Sequence, residues 1–255
     1  MILNGTAIYV LWLREMKRYL RARSRILGSL LQPLFFMVFL GLGFRRMQVP
    51  GLGEGVDYIQ FLVPGILGMT LLFSSSMQGL SVIWDREFGF LKEIMVAPVS
   101  RTSIVLGRIA GGTTTTMIQG LLMLAVTLLL GFRIKSPLLF LWALAFMILI
   151  AFTFIGIGLM FASRMKDSQG FGIIVNFILF PLFFLSGALY PLDNLPRAVR
   201  ILSLLDPLTY GVDGLRGTLI GVSARPVILD FLVMAASAVL MVALGTLLFR
   251  SSESV

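Results

Sequence analysis

The chain has 255 residues, of which 58% are hydrophobic and 13% are charged, and its formal net charge at pH 7 is +9. A soluble domain of this length needs far more charged surface around its core, so the composition excludes a soluble globular protein. Cysteine and histidine are both absent, which excludes disulfides, thiolate metal sites and the imidazole that most often acts as a general base.

The positive charge has a simpler explanation than nucleic-acid binding. The sequence offers no large polar domain in which a binding groove could form. Lysine and arginine placed between apolar segments set the topology of membrane proteins and interact with anionic lipid headgroups. We therefore expect membrane lipid, and no nucleic acid, as the partner of these basic residues.

Residues 6–25 predict an amphipathic helix that lies on the membrane surface. Apolar residues recur along one side at spacings of three and four, at Tyr9, Trp12, Leu13, Met16 and Leu20. Arginines recur in the same way on the opposite side, at Arg14, Arg18, Arg21 and Arg25. An apolar stripe opposite a basic stripe suits the headgroup region. The alternative is a basic anchor that only fixes the topology.

Six stretches of 19 residues or more contain no Asp, Glu, Lys or Arg. They are Ile26–Phe44, Tyr58–Trp84, Ile109–Phe132, Ser136–Ser163, Ser168–Leu192 and Phe231–Phe249. Because a helix rises about 1.5 Å per residue, about 20 apolar residues cross a hydrocarbon core about 30 Å thick. The predicted fold class is an all-α integral membrane protein with six transmembrane helices, and residues 1–255 form one transmembrane domain.

Residues 85–108 form the longest segment between spans on the side of the N-terminus, and residues 85–101 hold its candidate helix. Charges of alternating sign surround an apolar face, at Asp85, Arg86, Glu87, Lys92 and Glu93 around Phe88, Leu91 and Met95. Pro98 ends this pattern, and Ser100 is placed to cap the following helix. The pattern predicts a short amphipathic helix that offers a partner protein both charge and a hydrophobic ridge. The alternative is a solvated connector between the second and third spans.

Small residues recur every four positions at the start of the third span, at Gly107, Gly111 and Thr115. Small residues at this spacing let two helices approach closely. The contact can lie within the chain or at the seam of a dimer, and the sequence leaves both open.

The fifth span contains one amide, Asn176, among several phenylalanines. A buried amide in hydrocarbon needs a partner and often marks an interior helix face. We therefore interpret Asn176, Phe180 and Phe184 as candidates for a substrate path with an aromatic wall. The alternative is an interhelical hydrogen bond flanked by phenylalanines that face lipid.

Residues 193–225 mix apolar residues with Arg and Asp in pieces of about 8–14 residues. Such pieces are too short to cross a membrane and too apolar to be fully solvated, which predicts external re-entrant or interfacial helices before the last span. Pro196 and Pro207 are typical of first-turn residues of two short helices, with Asn194 and Asp206 near the cap positions. An alternative role for this segment is an enzymatic site built from Asp193, Asp206, Asp213 and Arg216.

Orientation follows from the distribution of Lys and Arg. With a cytoplasmic N-terminus, the inside segments hold 13 of the 21 basic residues and the outside segments hold 8. Six of these 13 precede the first span, and the first segment usually decides the orientation. We expect a multi-pass protein of the cytoplasmic membrane with both termini in the cytoplasm.

Three segments carry a resemblance to a known family. They are REFGFLKEIMVAPVSRTSIVLGR at residues 86–108, FPLFFLSGALYPLDNLP at 180–196 and LLDPLTYGVDGLRG at 204–217. In this order they resemble the membrane (permease) subunits of ABC type-2 exporters, and the similarity extends over the full chain. The chain is similar to the drug-resistance and nodulation-type export permeases of this family.

The resemblance implies a function and partners. In the family, the loop after the second span is a coupling helix that docks onto an ATP-binding subunit. This role would fall here on Glu87, Phe88, Gly89, Leu91, Glu93 and Pro98. The chain has no phosphate-binding G-x-x-x-x-G-K-[ST] motif, so ATP and Mg would be used by the separate subunit. We expect no catalytic residue, no metal site and no cofactor in this chain.

Six spans make half of an exporter, so the resemblance also implies a second permease copy or a sibling permease. The expected cargo is hydrophobic or amphipathic, such as a drug-like molecule, a lipid, a glycolipid or a polysaccharide, and it would move outward. The alternative is a secondary transporter driven by an ion gradient. That class places ionisable residues at mid-membrane, whereas the predicted spans have only Asp230, at the edge of the last one.

Overall fold

The computed structural model describes residues 3–44, 57–90, 99–165 and 167–252. Short connections apart, these residues are helical, and none of them forms a β-strand. The α-helices are α1 Gly5–Arg21, α2 Arg23–Gly43, α3 Tyr58–Ser76, α4 Gln78–Glu87, α5 Arg101–Leu129, α6 Pro137–Arg164, α7 Ser168–Leu185, α8 Arg197–Leu205, α9 Pro207–Leu219 and α10 Val227–Ser252.

Six segments in the described ranges are long and apolar enough to cross a membrane. They are Ile26–Gly43, Tyr58–Glu87, Arg101–Leu129, Pro137–Arg164, Ser168–Leu185 and Val227–Phe249. The prediction of an all-α membrane protein with six spans is therefore confirmed.

The prediction that the spans contain no ionisable residue other than Asp230 is wrong. The third span begins at Arg101 rather than at Ile109, so it includes Arg108, and the second extends past Asp85. These charges lie inside the bundle because they pair with each other across helices.

The central helix of the bundle is α6. It packs against α10, α3, α9, α4 and α5, and its Phe146 and Phe154 have no exposed surface. Helices α2 and α7 lie at the periphery, and most residues of their spans are not buried. We call the end of the bundle where α1, α4 and α5 meet the α1 end. The opposite end, which carries α8 and α9, is the α8 end.

Helix α1 runs beside the first half of α5. Its N-terminus is capped by Asn4, whose side chain accepts a hydrogen bond from the Ala7 N–H. The helix ends at Arg21 and the chain bends at Ala22, so the predicted helix over residues 6–25 is wrong in its last turn, which belongs to α2. Within the predicted apolar stripe, Met16 is buried, whereas Tyr9 and Leu20 are 57% and 61% exposed.

The second span is two helices rather than one, with the break at Met77. On either side of this break the backbone touches α6 directly. A Cβ added to Gly79 would lie 2.3 Å from the Gly158 carbonyl oxygen, and a Cβ added to Gly158 would lie 2.4 Å from the Ser76 carbonyl oxygen. Glycine is required at both positions because no side chain fits between the two backbones.

The segment between α7 and α10 contains the two predicted short helices. Asp206 caps α9 by accepting a hydrogen bond from the Leu208 N–H at 2.9 Å, and Pro207 is its first residue, as predicted. Helix α9 is buried between α3, α6 and α10, although its 13 residues are too few to cross a membrane. Helix α8 is different, because it begins at Arg197 with Pro196 at its cap position and without a side-chain cap, so the predicted place of Pro196 in the first turn is wrong. Among the residues of α8, only Ser203 is buried.

Candidate functional site

Charged side chains from three helices meet at the α1 end. Arg14 of α1 donates two hydrogen bonds to Asp85 of α4, from Nη1 to Oδ2 at 3.0 Å and from Nη2 to Oδ1 at 2.5 Å. Nη2 of Arg108 on α5 lies 2.8 Å from Asp85 Oδ2. Asp85 is 4% exposed and Arg108 is 6% exposed. Charges this deeply buried are tolerated only when they are paired, so each group depends on the others.

The ion pairs continue along α1. Arg18 Nη2 lies 2.6 Å from Glu15 Oε2, and Glu15 is itself buried. The Glu15 side chain packs over Gly111 of α5, where an added Cβ would lie 2.7 Å from the Glu15 Cβ. We call the five ionised side chains the charge cluster: Arg14, Glu15, Arg18, Asp85 and Arg108. Through it, α1 is fixed to α4 and α5 by electrostatic contacts.

The end of α4 lies at the surface beside the charge cluster. Phe88 follows the last residue of α4, and 83% of its surface is exposed. Glu87 Oε1 accepts a hydrogen bond at 2.9 Å from the backbone N–H of Ser168, at the start of α7. Arg14 Cζ lies 3.9 Å from the centre of the Phe90 ring. This end of α4 is therefore attached to α1 and α7 while an aromatic side chain remains exposed.

A cavity of about 270 Å³ lies behind the charge cluster, between α1, α2, α3, α4, α5 and α7. Its uncharged polar lining consists of Ser29, Gln32, Thr70, Ser74, Gln78, Thr115, Gln119 and Asn176. Glu15 and Arg18 of the charge cluster also line it, together with apolar residues such as Phe73 and Trp84. A wall that combines polar groups with apolar side chains suits an amphipathic molecule.

Two glutamines of this cavity already donate hydrogen bonds within the chain. Gln78 Nε2 donates to Thr115 Oγ1 at 3.0 Å, and Gln119 Nε2 donates to Ser29 Oγ at 2.6 Å. The oxygen of each amide group is a hydrogen-bond acceptor. The cavity is thus suited to a ligand that carries hydroxyl or N–H donors.

A second cavity, of about 230 Å³, lies at the α8 end, and we call it the α8-end cavity. Asp193, Asp213 and Arg216 line it, whereas Asp206 does not. Asp213 accepts hydrogen bonds from the backbone N–H groups of Ala224 and Arg225 at 2.9 and 3.0 Å. The four residues considered for an enzymatic site therefore do not converge on one point.

The buried carboxyl group of Asp206 is expected to make the stability of the protein depend on pH. Burial raises the pKa of its carboxyl group to about 8, although the hydrogen bond from Leu208 opposes the shift. Because the folded-state pKa lies above the unfolded value of about 3.9, the proton favours folding, and stability falls as pH rises from about 4 to about 8. The slope is at most about 1.4 kcal/mol per pH unit.

The matched variant for this effect is Asp206→Asn, which keeps the cap and removes the titration. The melting temperature of the purified wild-type protein should fall as the pH is raised from 5 to 9. The melting temperature of the variant should stay nearly constant over the same range. Parallel curves would show that Asp206 does not titrate in this range.

Comparison with known proteins identifies the family. A family model described as ABC-2 type transporter matches residues 6–220. This chain belongs to the ABC-2 type transporter family. It is similar to the inner membrane transport permease YadH of Escherichia coli K12, with 27% identity over 91% of this chain and 90% of the relative.

Two further relatives of this ABC-2 type transporter extend the comparison. The putative transport permease ycf38 of Cyanophora paradoxa is 32% identical over 82% of this chain and 72% of its own length. Nodulation protein J of Rhizobium leguminosarum bv. viciae is 26% identical over 97% of this chain and 94% of its own length. The family membership and these relatives make the chain a transport permease subunit of a membrane.

The structure of this ABC-2 type transporter describes three of the six predicted coupling residues, Glu87, Phe88 and Gly89. Glu87 is the last residue of α4, and Phe88 is its exposed cap. Gly89 follows with φ +75°, a left-handed backbone conformation that favours glycine. Three further predicted residues lie outside the described residues: Leu91, Glu93 and Pro98.

The glycines predicted for helix packing lie against α1. A Cβ added to Gly107 would lie 2.8 Å from the Leu11 Cβ, and Gly111 meets Glu15 in the same way. Thr115, one turn further, faces α4 and the cavity. In the described chain, this stripe of small residues therefore makes a contact inside one subunit.

Of the three residues predicted for the substrate path, only Asn176 lines the cavity of about 270 Å³. Asn176 lines the cavity, but its side chain is exposed and donates to the Gly172 carbonyl oxygen of its own helix, so the expectation of a buried amide is wrong. The Phe180 ring lies 5.0 Å from the ring of Phe73, which lines the cavity. Phe184 is 41% exposed and does not line it.

Sequence reasoning missed the charge cluster, although a signal was present. Asp85 follows the second charge-free stretch directly, and Arg108 precedes the third. Opposite charges at the facing ends of neighbouring spans are candidates for an interhelical pair. The amides Gln32 and Gln119 also lie inside predicted spans. The sequence therefore marked them as candidate polar residues of the interior in the same way as Asn176.

Proposed function

We propose that this ABC-2 type transporter subunit is the permease of an ATP-driven exporter. A separate ATP-binding subunit would dock at the end of α4, and a second permease copy or a sibling would complete the transporter. The cargo would be hydrophobic or amphipathic and would move outward, with both termini in the cytoplasm. The observation that supports this proposal is that one short helix, α4, connects the exposed surface at Phe88 to the cavity of about 270 Å³.

Helix α4 has the geometry of a lever. Its first residue, Gln78, lines the cavity, and its last residue, Glu87, lies at the surface about 14 Å away by helical rise. The break at Met77 separates α4 from α3, so the two helices can change their angle. Force applied beside Phe88 would therefore move Gln78 relative to Thr115 and alter the cavity.

The lining of the 270 Å³ cavity supports a cargo with both apolar and polar parts. Its phenylalanine, methionine and tryptophan side chains would contact apolar surface, and its amide and hydroxyl groups would bind polar substituents. Among the described residues, the charged residues that line it are Glu15 and Arg18, which are paired with each other. A cargo without net charge fits this wall better than an ion, which favours export of an amphipathic molecule over ion-coupled transport.

Cross-linking from position 88 tests the docking site. The chain has no cysteine, so Phe88→Cys provides a single attachment point for a photo-cross-linking maleimide. We expect a covalent adduct with the co-purified ATP-hydrolysing subunit, because Phe88 is the most exposed aromatic residue at the α1 end. The same modification at Leu205→Cys, 76% exposed at the α8 end, should give no adduct.

The same two variants test the orientation. A membrane-impermeant maleimide should label Leu205→Cys in intact cells and Phe88→Cys only in inside-out vesicles. Equal cross-linking from both positions, or labelling with the opposite sidedness, would contradict the proposed docking surface. ATP-independent uptake abolished by an ionophore would instead favour the secondary transporter.

A further inference from the structure

The α8-end cavity has a strongly charged wall. Five charged side chains line it: Arg200, Arg216, Arg225, Asp193 and Asp213. The arginines outnumber the aspartates by one. The wall is completed by apolar residues, among them Phe61 and Leu192, and by the backbone and side chains of residues 222–224.

The aspartates of this wall are already paired. Both oxygens of Asp213 accept backbone hydrogen bonds from the loop before α10, and Arg225 Nη1 lies 3.9 Å from Asp213 Oδ2. Asp193 pairs with Arg200 at 3.2 Å, and both side chains are more than half exposed. Asp230 of α10 contacts Asp213 but does not line the cavity. No ion pair within 4.0 Å joins either aspartate of the wall to Arg216.

Arg216 is the buried cation of the cavity. It is 7% exposed, and its Cζ lies 3.8 Å from the centre of the Phe61 ring. Nη2 donates to the Gly187 carbonyl oxygen at 3.1 Å, but Nε has no hydrogen-bond partner among the described residues. Burial lowers the pKa of the guanidinium to about 10, which leaves it charged at neutral pH, and Asp213 opposes the shift. A buried charge with a free donor is costly unless a ligand satisfies it.

We propose that the α8-end cavity binds an anionic phosphate-type group. Arg216 would be its buried donor, and Arg200 and Arg225 would contact it from the more exposed part of the wall. Guanidinium groups match the oxygen geometry of phosphate and bind it with charge-assisted hydrogen bonds. The loose pair of Arg200 with Asp193 costs little to open, because both groups are solvated. The group can come from a lipid headgroup or from a soluble anion.

Protection of a single cysteine tests occupancy of the cavity. Ser223 is exposed and lines the cavity, so Ser223→Cys would report on access to it. A water-soluble maleimide would modify this variant more slowly in phosphate than in chloride of equal ionic strength. Ala198→Cys, on α8 and outside the cavity, is the control and should react equally fast in both.

The rate at which maleimide modifies the same cysteine in lipid vesicles shows whether the anionic group comes from a lipid or from solution. The Ser223→Cys variant would be reconstituted in phosphatidylcholine with and without phosphatidylglycerol, in chloride. Protection by phosphatidylglycerol supports a lipid headgroup, and protection by inorganic phosphate alone supports a soluble anion. Protection by neither, or equal protection at Ala198→Cys, overturns the proposal.

Adding a negative charge at position 223 distinguishes a loss of anion binding from a loss of folding. Ser223→Asp and Ser223→Asn differ by one negative charge and have nearly the same size. The phosphate concentration that gives half of the maximal rise in melting temperature should increase about tenfold or more in Ser223→Asp, because a like charge faces the anion. Ser223→Asn should match the wild type. Equal affinities of the two variants would refute the site, whatever the outcome for ATP-driven export.

Discussion

Replacement of Asp85 by alanine is expected to destabilise the protein by about 3–5 kcal/mol. The change would leave Arg108, which is 6% exposed, as a buried cation without its 2.8 Å partner. It would also release Arg14 of α1, which donates two hydrogen bonds to Asp85. We expect a large loss of monodisperse protein after heating in detergent, measured by size-exclusion chromatography.

The matched control is Asp193→Ala. Asp193 also pairs with an arginine, at 3.2 Å, but both side chains are solvated, so the loss should stay below about 1 kcal/mol. The double variant Asp85→Ala with Arg108→Met should recover part of the stability, because it removes the uncompensated charge as well. If Asp85→Ala is no more damaging than Asp193→Ala, the charge cluster does not hold α1 in place.

Gly79→Ala is expected to separate α4 from α6. The new Cβ would lie 2.3 Å from the Gly158 carbonyl oxygen, which is backbone and cannot turn aside. Overpacking of this kind costs about 1–3 kcal/mol and sometimes more. Because α4 begins at the cavity, we expect transport to fall more than folding does, measured as flux per correctly folded subunit.

Gly28→Ala is the control for this change. Gly28 lies in α2 with no atom within 4 Å of an added Cβ, so alanine there should be neutral or stabilise the helix by about 0.5–1 kcal/mol. Gly158→Ala should resemble Gly79→Ala, since it would meet the Ser76 carbonyl oxygen at 2.4 Å. A Gly79→Ala protein that melts and transports like Gly28→Ala would contradict the direct backbone contact.

The sequence by itself determined the number of spans, the all-helical class and the short helices between the fifth and sixth spans. These properties are local, because span length follows from a run of apolar residues and a cap follows from one side chain next to a helix start. Asp206 and Pro207 illustrate this, since neither needs a distant neighbour to fulfil its role.

The tertiary structure alone decided which polar groups meet. Asp85 and Arg108 stand at the boundaries of charge-free runs, where a surface position is as plausible as a buried one, and only the packing of α1 against α5 buries them together. Asn176 shows the reverse, because the rotation of α7 leaves it exposed although it lies within an apolar run. Hydrophobic length is a property of a segment, whereas burial and pairing depend on the rotation and neighbours of each helix.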